Sequence, residues 1–219
     1  MPRLLFEKKG NSIWISHLDL MRVFQRAFKR AGLPLTHTQG FNPRPSVSIA
    51  LPLSVGVESS CEILDFDLYG EAVSPDEICQ RLNSALIDGV KVLSVYNDGN
   101  KIKNLALLEC EVTLEYDQAV PEHAVTQMEQ LFSQKEVIVE KKTKNGIKEE
   151  NIIPMIRSIA INAVDDHRIV LHALVCCQNP TLNPMQLNVA IMKYLPDIQP
   201  DFVKCSRLEI FDINKKIFR

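Results

Sequence analysis

The sequence predicts an α+β fold of two tandem β-α-β-β-α-β units with antiparallel sheets, and three observations carry that expectation. The chain has 219 residues, room for two cores of roughly 100 residues each, because single cores usually stop growing well before 250 to 300. Short apolar strands alternate with helices that open on capping residues and close on glycine or proline. The elements follow the same order twice, separated by the polar segment from Gly99 to Asn104, so residues 1–98 and 105–219 are expected as separate domains.

Leu4, Phe6 and their neighbours form the first strand. Ser16-x-x-Asp19 has the spacing of a capping box, in which hydroxyl and acid satisfy the orphan amides of a helix start. That helix runs to Gly32, a natural left-handed stop. Strands follow at Val47 to Leu51 and Glu62 to Tyr69. Ser74-Pro75-Asp76-Glu77 then supplies an N-cap, a proline at the first helical position and two acids in the first turn. This second helix ends at Gly89, before strand Val90 to Tyr96.

The second unit opens with strand Leu107 to Tyr116, a helix from Pro121 through Phe132, and a strand Val137 to Lys141 with an Asn145-Gly146 turn after it. Strands around Ile152 to Ile161 and Arg168 to Cys176 are joined at Asp165-Asp166. Asn183-Pro184-Met185-Gln186 caps a helix with Leu187, Ala190, Ile191 and Tyr194 on one face, and Pro196 stops it. Strand Arg207 to Phe211 closes the set, which leaves one extra strand near residue 140 or 155. Each unit has the split β-α-β arrangement of the ferredoxin-like fold, whose right-handed crossovers put both helices on one face of the sheet.

With 46% hydrophobic and 24% charged residues the chain is neither collagen-like, disordered nor a disulfide scaffold. No apolar run reaches the roughly 18 residues of a membrane span, and the start lacks a signal-peptide apolar region, so a cytoplasmic location without a membrane partner is expected. The six cysteines form no C-x-x-C pair and lie mostly in apolar runs. They read as buried thiols, and no metal and no cofactor are expected.

The net charge of −2 hides an asymmetry. Residues 1 to 50 carry eight Lys/Arg against two acids, a net of +6, and the remaining 17 basic and 25 acidic residues carry −8. Such a segment in a chain of pI near 6.2 suggests one localised anion-binding surface, the alternative being a basic face balanced by acidic neighbours. On the first helix Asp19, Arg22, Arg26, Lys29 and Arg30 share about one 100° arc, opposite Leu20, Phe24, Ala27, Phe28 and Ala31.

The stretch Pro34 to Pro45 is long for a loop in a compact domain. Its imidazole, hydroxyls, amides, guanidinium and aromatic ring could grip phosphates and stack a base of single-stranded RNA. Alternatively Phe41 plugs the core and the polar groups bond one another. The candidate RNA-binding residues are therefore Arg22, Arg26, Lys29, Arg30, His37, Gln39, Phe41, Asn42 and Arg44. His17 either donates a hydrogen bond to the loop, the preferred reading, or acts with His37 as acid and base on a phosphodiester. Trp14 is expected to staple the helix start, and His123, His167 and His172 are read as structural.

Ser16-His17-Leu18-Asp19-Leu20-Met21-Arg22, Gln39-Gly40-Phe41-Asn42-Pro43-Arg44-Pro45, Ala50-Leu51-Pro52-Leu53 and Gly56-Val57-Glu58 closely resemble the radical S-adenosylmethionine-associated (radical SAM-linked) family, a domain of unknown function. The match is specific over about residues 2 to 70. His17, Asp19, Arg22, Gln39, Gly40, Phe41, Asn42 and Pro43 match the family's pattern, while Arg44 stands where relatives often carry His, which weakens a metal-ligand role for the loop. The resemblance implies a chain or extension encoded beside a radical SAM protein, often near a ribonuclease of the G/E type, and hence RNA or ribosome work. A fainter architectural resemblance is to the RNA-binding and RNA-cleaving Cas6-type proteins of CRISPR systems, although Cys205 to Arg219 lacks their glycine-rich loop.

The leading expectation is a non-catalytic accessory module that holds RNA, tRNA or rRNA, and presents it to a separate radical SAM protein. A metal-independent endoribonuclease using His17 and His37, and a protein-protein adaptor for a radical SAM enzyme, are the alternatives. If Arg22, Arg26, Lys29 and Arg44 each neutralise one phosphate, affinity for a single strand should fall about 50-fold between 50 and 200 mM salt.

Overall fold

The computed structural model describes residues 2–143 and 146–219; Asn145 of the expected Asn145-Gly146 turn lies outside them. The fold is mixed α+β, with mostly antiparallel strand pairing and four α-helices among the described residues. Two compact units divide the chain, one running to Asn104 and including Phe218–Arg219, the other comprising Leu105–Ile217. Among the described residues no helix is long and apolar enough to cross a membrane.

The first unit contains β1 (Arg3–Lys8), α1 (His17–Arg30), β2 (Val47–Ile49), β3 (Val57–Phe66), α2 (Pro75–Ala85) and β4 (Val90–Tyr96). Its strands lie in the order β4-β1-β3-β2, each antiparallel to its neighbours. Alternation along β1 buries Leu4 and Phe6, and α1 lays Leu20, Phe24, Ala27 and Phe28 against them and against Leu64 and Phe66 of β3. Two ring pairs fix this contact: Phe6 with Phe24 edge-on at 4.7 Å, and Phe28 with Phe66 tilted at 5.0 Å. β3 begins five residues before the expected Glu62, because Ser59 and Glu62 are buried polar residues that break the apolar pattern of a strand.

Both ends of α1 are closed at the residues the sequence predicts, although the Asp19 carboxylate takes the Ser16 hydroxyl and Arg22 rather than a backbone amide. The Ser16 hydroxyl accepts the Asp19 amide at 3.2 Å and donates to the Asp19 carboxylate at 2.7 Å. At the other end Gly32 takes a positive φ of 65° and the Leu33 amide reaches back to the Phe28 carbonyl at 2.9 Å, a Schellman closure. The hydrogen bond from Ser16, followed by that from Arg22, holds the Asp19 carboxyl below the usual carboxylate range. A carboxyl lowered by folding contributes stability that is present above its unfolded value and is lost as the pH falls through its folded one. Amide exchange in the first turn of α1 should therefore accelerate in acid, and Ser16→Ala should cost about 1 kcal/mol in denaturant unfolding while removing much of that acid sensitivity.

Two of the amino-terminal cations, Arg3 and Lys8, belong to the fold rather than to a surface, and a third, Lys9, is exposed but paired. Arg3 grips both oxygens of Asp65 at 2.6 and 3.1 Å, donates to the Asn100 carbonyl at 2.7 Å and stands over the Phe218 ring. Lys8 is buried, its ammonium donating to the Ile13 and Ile15 carbonyls at 3.0 and 2.9 Å, and burial lowers its pKa. Lys9 pairs with Glu7 at 2.8 Å. The expected +6 surface charge is correspondingly smaller. Trp14 does not staple the helix from within the core: it is exposed, and Gly56 lies against its ring.

The second unit contains β5 (Leu105–Glu115), α3 (Ala124–Phe132), β6 (Ile138–Thr143), β7 (Gly146–Asn151), β8 (Ile156–Asp165), β9 (Arg168–Cys176), α4 (Met185–Tyr194) and β10 (Phe202–Asp212). Four strands follow the order β10-β5-β9-β8, again antiparallel. The expected single extra strand is instead a separate hairpin, β6 with β7. The polar run Gly146–Asn151 shows no alternation, and its strand geometry comes from backbone pairing with β6, supported by Lys141 on Glu150 at 3.0 Å. α3 starts three residues beyond Pro121, after His123 in a left-handed conformation. β10 begins at Phe202 rather than Arg207, since it pairs along the whole of β5. All six cysteines are free thiols, and burial pushes Cys110, Cys177 and Cys205 up to about 12.

Candidate nucleic-acid interface

The cationic stripe is built by the first unit. Docking Leu20, Phe24, Ala27 and Phe28 inward turns Arg22, Arg26, Lys29 and Arg30 outward, and all four are exposed. Their charges are not equally available. Arg22 is held by Asp19 at 2.7 Å, and Arg30 donates to the Ala85 carbonyl at the end of α2. Arg26, Lys29 and Arg44 are exposed and make no ion pair among the described residues.

Residues 34–45 are not a slack loop. Thr36 is fixed to Asp67 through both its amide, at 2.9 Å, and its hydroxyl, at 3.0 Å. Ser46 donates to the Thr36 carbonyl at 2.8 Å, and Thr38 donates to the Arg44 carbonyl at 2.9 Å. The Arg44 amide returns to the Thr38 hydroxyl at 3.1 Å, and His37 bridges Pro45. These bonds make a two-stranded stalk continuous with β2, and its tip carries Gln39, Gly40, Phe41 and Asn42. Gly40 has a φ of 138°, a conformation that side chains resist. Phe41 is fully exposed at 109% of its reference area. It does not plug the core, and a large aromatic ring held in water on a braced stalk is a poised contact.

A groove of about 460 Å³ runs between the last turns of α1 and the base of this stalk. Phe28, Leu33, Leu35 and Pro45 supply apolar wall, and Gln25, Lys29 and His37 are its polar members. Among the described residues no carboxylate lines it. The volume is within the roughly 300 to 1,000 Å³ of small-ligand sites. The Tyr69 amide donates to the Pro34 carbonyl at 2.8 Å, tying the start of the stalk to the chain beyond β3. Sequence reasoning missed Gln25 and Leu35 as groove residues.

The predicted residues therefore divide in space. Lys29 and His37 meet at the groove; Gln39, Phe41, Asn42 and Arg44 belong to the tip and upper stalk; Arg22 and Arg26 lie farther along α1. His17 is elsewhere. It opens α1, whereas His37 borders the groove with Gln25 and Lys29, about 12 to 18 Å up the helix axis. The structure does not bring His17 into the groove that His37 borders. The expected hydrogen bond from His17 to the loop is also missing: its Nδ1 is buried without a partner among the described residues. No group of three or more His, Cys, Asp or Glu that could hold a metal ion occurs among the described residues.

Fold and site together define an α+β chain with an exposed cationic helix, an aromatic-tipped hairpin and an apolar groove between them. The chain belongs to the bacterial family described as an uncharacterized protein conserved in bacteria, DUF2344, whose profile matches residues 2–184. No curated protein matches the sequence. Among solved structures, the crystal structure of a Cbf5-Nop10-Gar1 complex is similar in fold, with a TM-score of 0.52 and 9% identity over 95% of this chain and 48% of that one. An H/ACA RNP bound to a substrate RNA containing 2'-deoxyuridine gives a TM-score of 0.49 at 8% identity, over 94% of this chain and 46% of that one. An archaeal box H/ACA sRNP Nop10-Cbf5 complex gives 0.47 at 8% identity with the same coverage. The chain thus spans about half the length of the structures it resembles.

Proposed function

We propose that this chain is a non-catalytic RNA-binding module that holds unpaired RNA on the α1 and hairpin side of its first unit and presents it to a separate radical SAM protein. The observation that carries the RNA reading is the fully exposed Phe41 on a hydrogen-bonded stalk, next to cations that lack carboxylate partners. Single-strand binders combine these two elements, because every base offers a face for stacking and every phosphate a charge. In this reading Arg26, Lys29 and Arg44 meet phosphates, Phe41 stacks a base, and His37, Gln39 and Asn42 offer hydrogen bonds to base edges. Arg22 and Arg30 play a lesser part, being already engaged by Asp19 and the Ala85 carbonyl.

The strand order in each unit supports reading the chain as two ferredoxin-like domains, near residues 1–98 and 105–219, the second with an inserted hairpin. The radical SAM partner rests on the sequence resemblance around Ser16 to Arg22 and Gln39 to Pro45. The RNA reading is tested by fluorescence anisotropy with a labelled single-stranded RNA. Phe41→Ala should weaken binding about 5- to 150-fold, the loss of one stacked base, while leaving the thermal unfolding of the protein unchanged. Wild-type affinity in that variant would remove the stacking role. The partner is tested by low-salt purification from the native cells with and without nuclease. A radical SAM protein retained only when RNA is intact matches the presentation role, and one retained after nuclease would instead make the chain an adaptor.

A further inference from the structure

We infer that the groove between α1 and the hairpin base receives a single unstacked nucleobase, so that the RNA recognised is a strand with a splayed-out nucleotide rather than a continuous duplex. This rests on the RNA-binding reading and narrows its substrate class. The groove joins an apolar floor of Phe28, Leu33 and Leu35 to three polar side chains of different character. The Gln25 amide and the His37 ring can each donate and accept toward a base edge, and the Lys29 ammonium is placed for the attached phosphate. The absence of a lining carboxylate among the described residues, with Arg26 exposed on the same helix face, gives the site the sign complementary to a polyanion.

The occupant follows from shape as well as charge. Duplex RNA offers its phosphates and 2'-hydroxyls across a wide, shallow groove, whereas a concave apolar slot can be filled only by a base out of its stack. Phe41 stands four residues before Pro45, at the tip of the stalk and up to about 13 Å from its base, so it stacks on a different base from the one in the groove. Two separated aromatic or apolar seats, with Arg44 on the stalk between them and Lys29 at the groove, suit consecutive unpaired nucleotides.

The test uses the intact chain, a single-stranded RNA containing 4-thiouridine, and the same sequence as a perfect duplex. Irradiation of the wild-type complex should place crosslinks on peptides spanning residues 25–37, and Gln25→Trp, which fills the groove without altering charge, should weaken single-strand binding about 5- to 150-fold. The salt slope and the weaker duplex binding should not change. Crosslinks confined to other segments, or an unaltered affinity of Gln25→Trp for the single strand, would overturn the groove assignment and leave RNA binding standing. Salt-sensitive binding missing from the wild type itself would defeat both readings at once.

Discussion

Affinity for single-stranded RNA should fall about 18-fold when monovalent salt rises from 50 to 200 mM. Each phosphate neutralised on a single strand contributes about 0.7 to the slope of log affinity against log salt, and three available cations give a slope of about 2.1. The three are Arg26, Lys29 and Arg44, exposed and without ion pairs among the described residues. Counting Arg22 as a fourth, as the helical arc suggests, would give about 50-fold; its pairing with Asp19 reduces its share. Replacing Arg26, Lys29 and Arg44 by alanine together should flatten the slope to near zero, and Arg22→Ala alone should change it by well under one phosphate's worth. A salt titration by anisotropy measures both. A steep slope that survives in the triple variant would mean that the phosphates are held elsewhere on the chain.

The largest stability effect is expected at Phe24. Its ring is buried and stands edge-on to Phe6 at 4.7 Å, joining α1 to β1, an inner strand of the first unit. Phe24→Ala removes that ring from a core that can collapse only partly around the space, which costs about 3 to 5 kcal/mol. Urea unfolding monitored by circular dichroism should show the loss. Because the same helix carries the cationic stripe, RNA affinity should fall as α1 loosens although Phe24 touches no solvent. Phe24→Leu, which refills most of the space, should recover most of the stability and of the affinity; a variant that regains its stability without its affinity would separate the stripe from the helix's docking.

The parts of the site that could be read in the sequence are those with local causes. Ser16, Asp19 and Gly32 announce the ends of α1 because caps act on groups within a turn or two. The stripe from Arg22 to Arg30 is legible because residues 3.6 apart share a face whatever the helix packs on. The hairpin is only half legible: the composition of Pro34 to Pro45 marked it as unusual, but its stalk depends on Asp67, thirty-one residues from Thr36. β7 was invisible because its polar residues acquire strand geometry only from pairing with β6.

The amino-acid order by itself determined where α1 and α2 begin and which face of α1 is apolar and which basic, since both follow from caps, periodicity and neighbours along the chain. Only the tertiary structure decided which charges remain available and what concavity lies beside them. Arg3 is neutralised by Asp65, sixty-two residues away, and Lys8 is spent on the carbonyls of Ile13 and Ile15. The groove exists because folding sets Gln25 and Lys29 against His37 and Pro45. Ion pairing and surface shape depend on distance in space, and a linear pattern carries that distance only where the chain is locally regular.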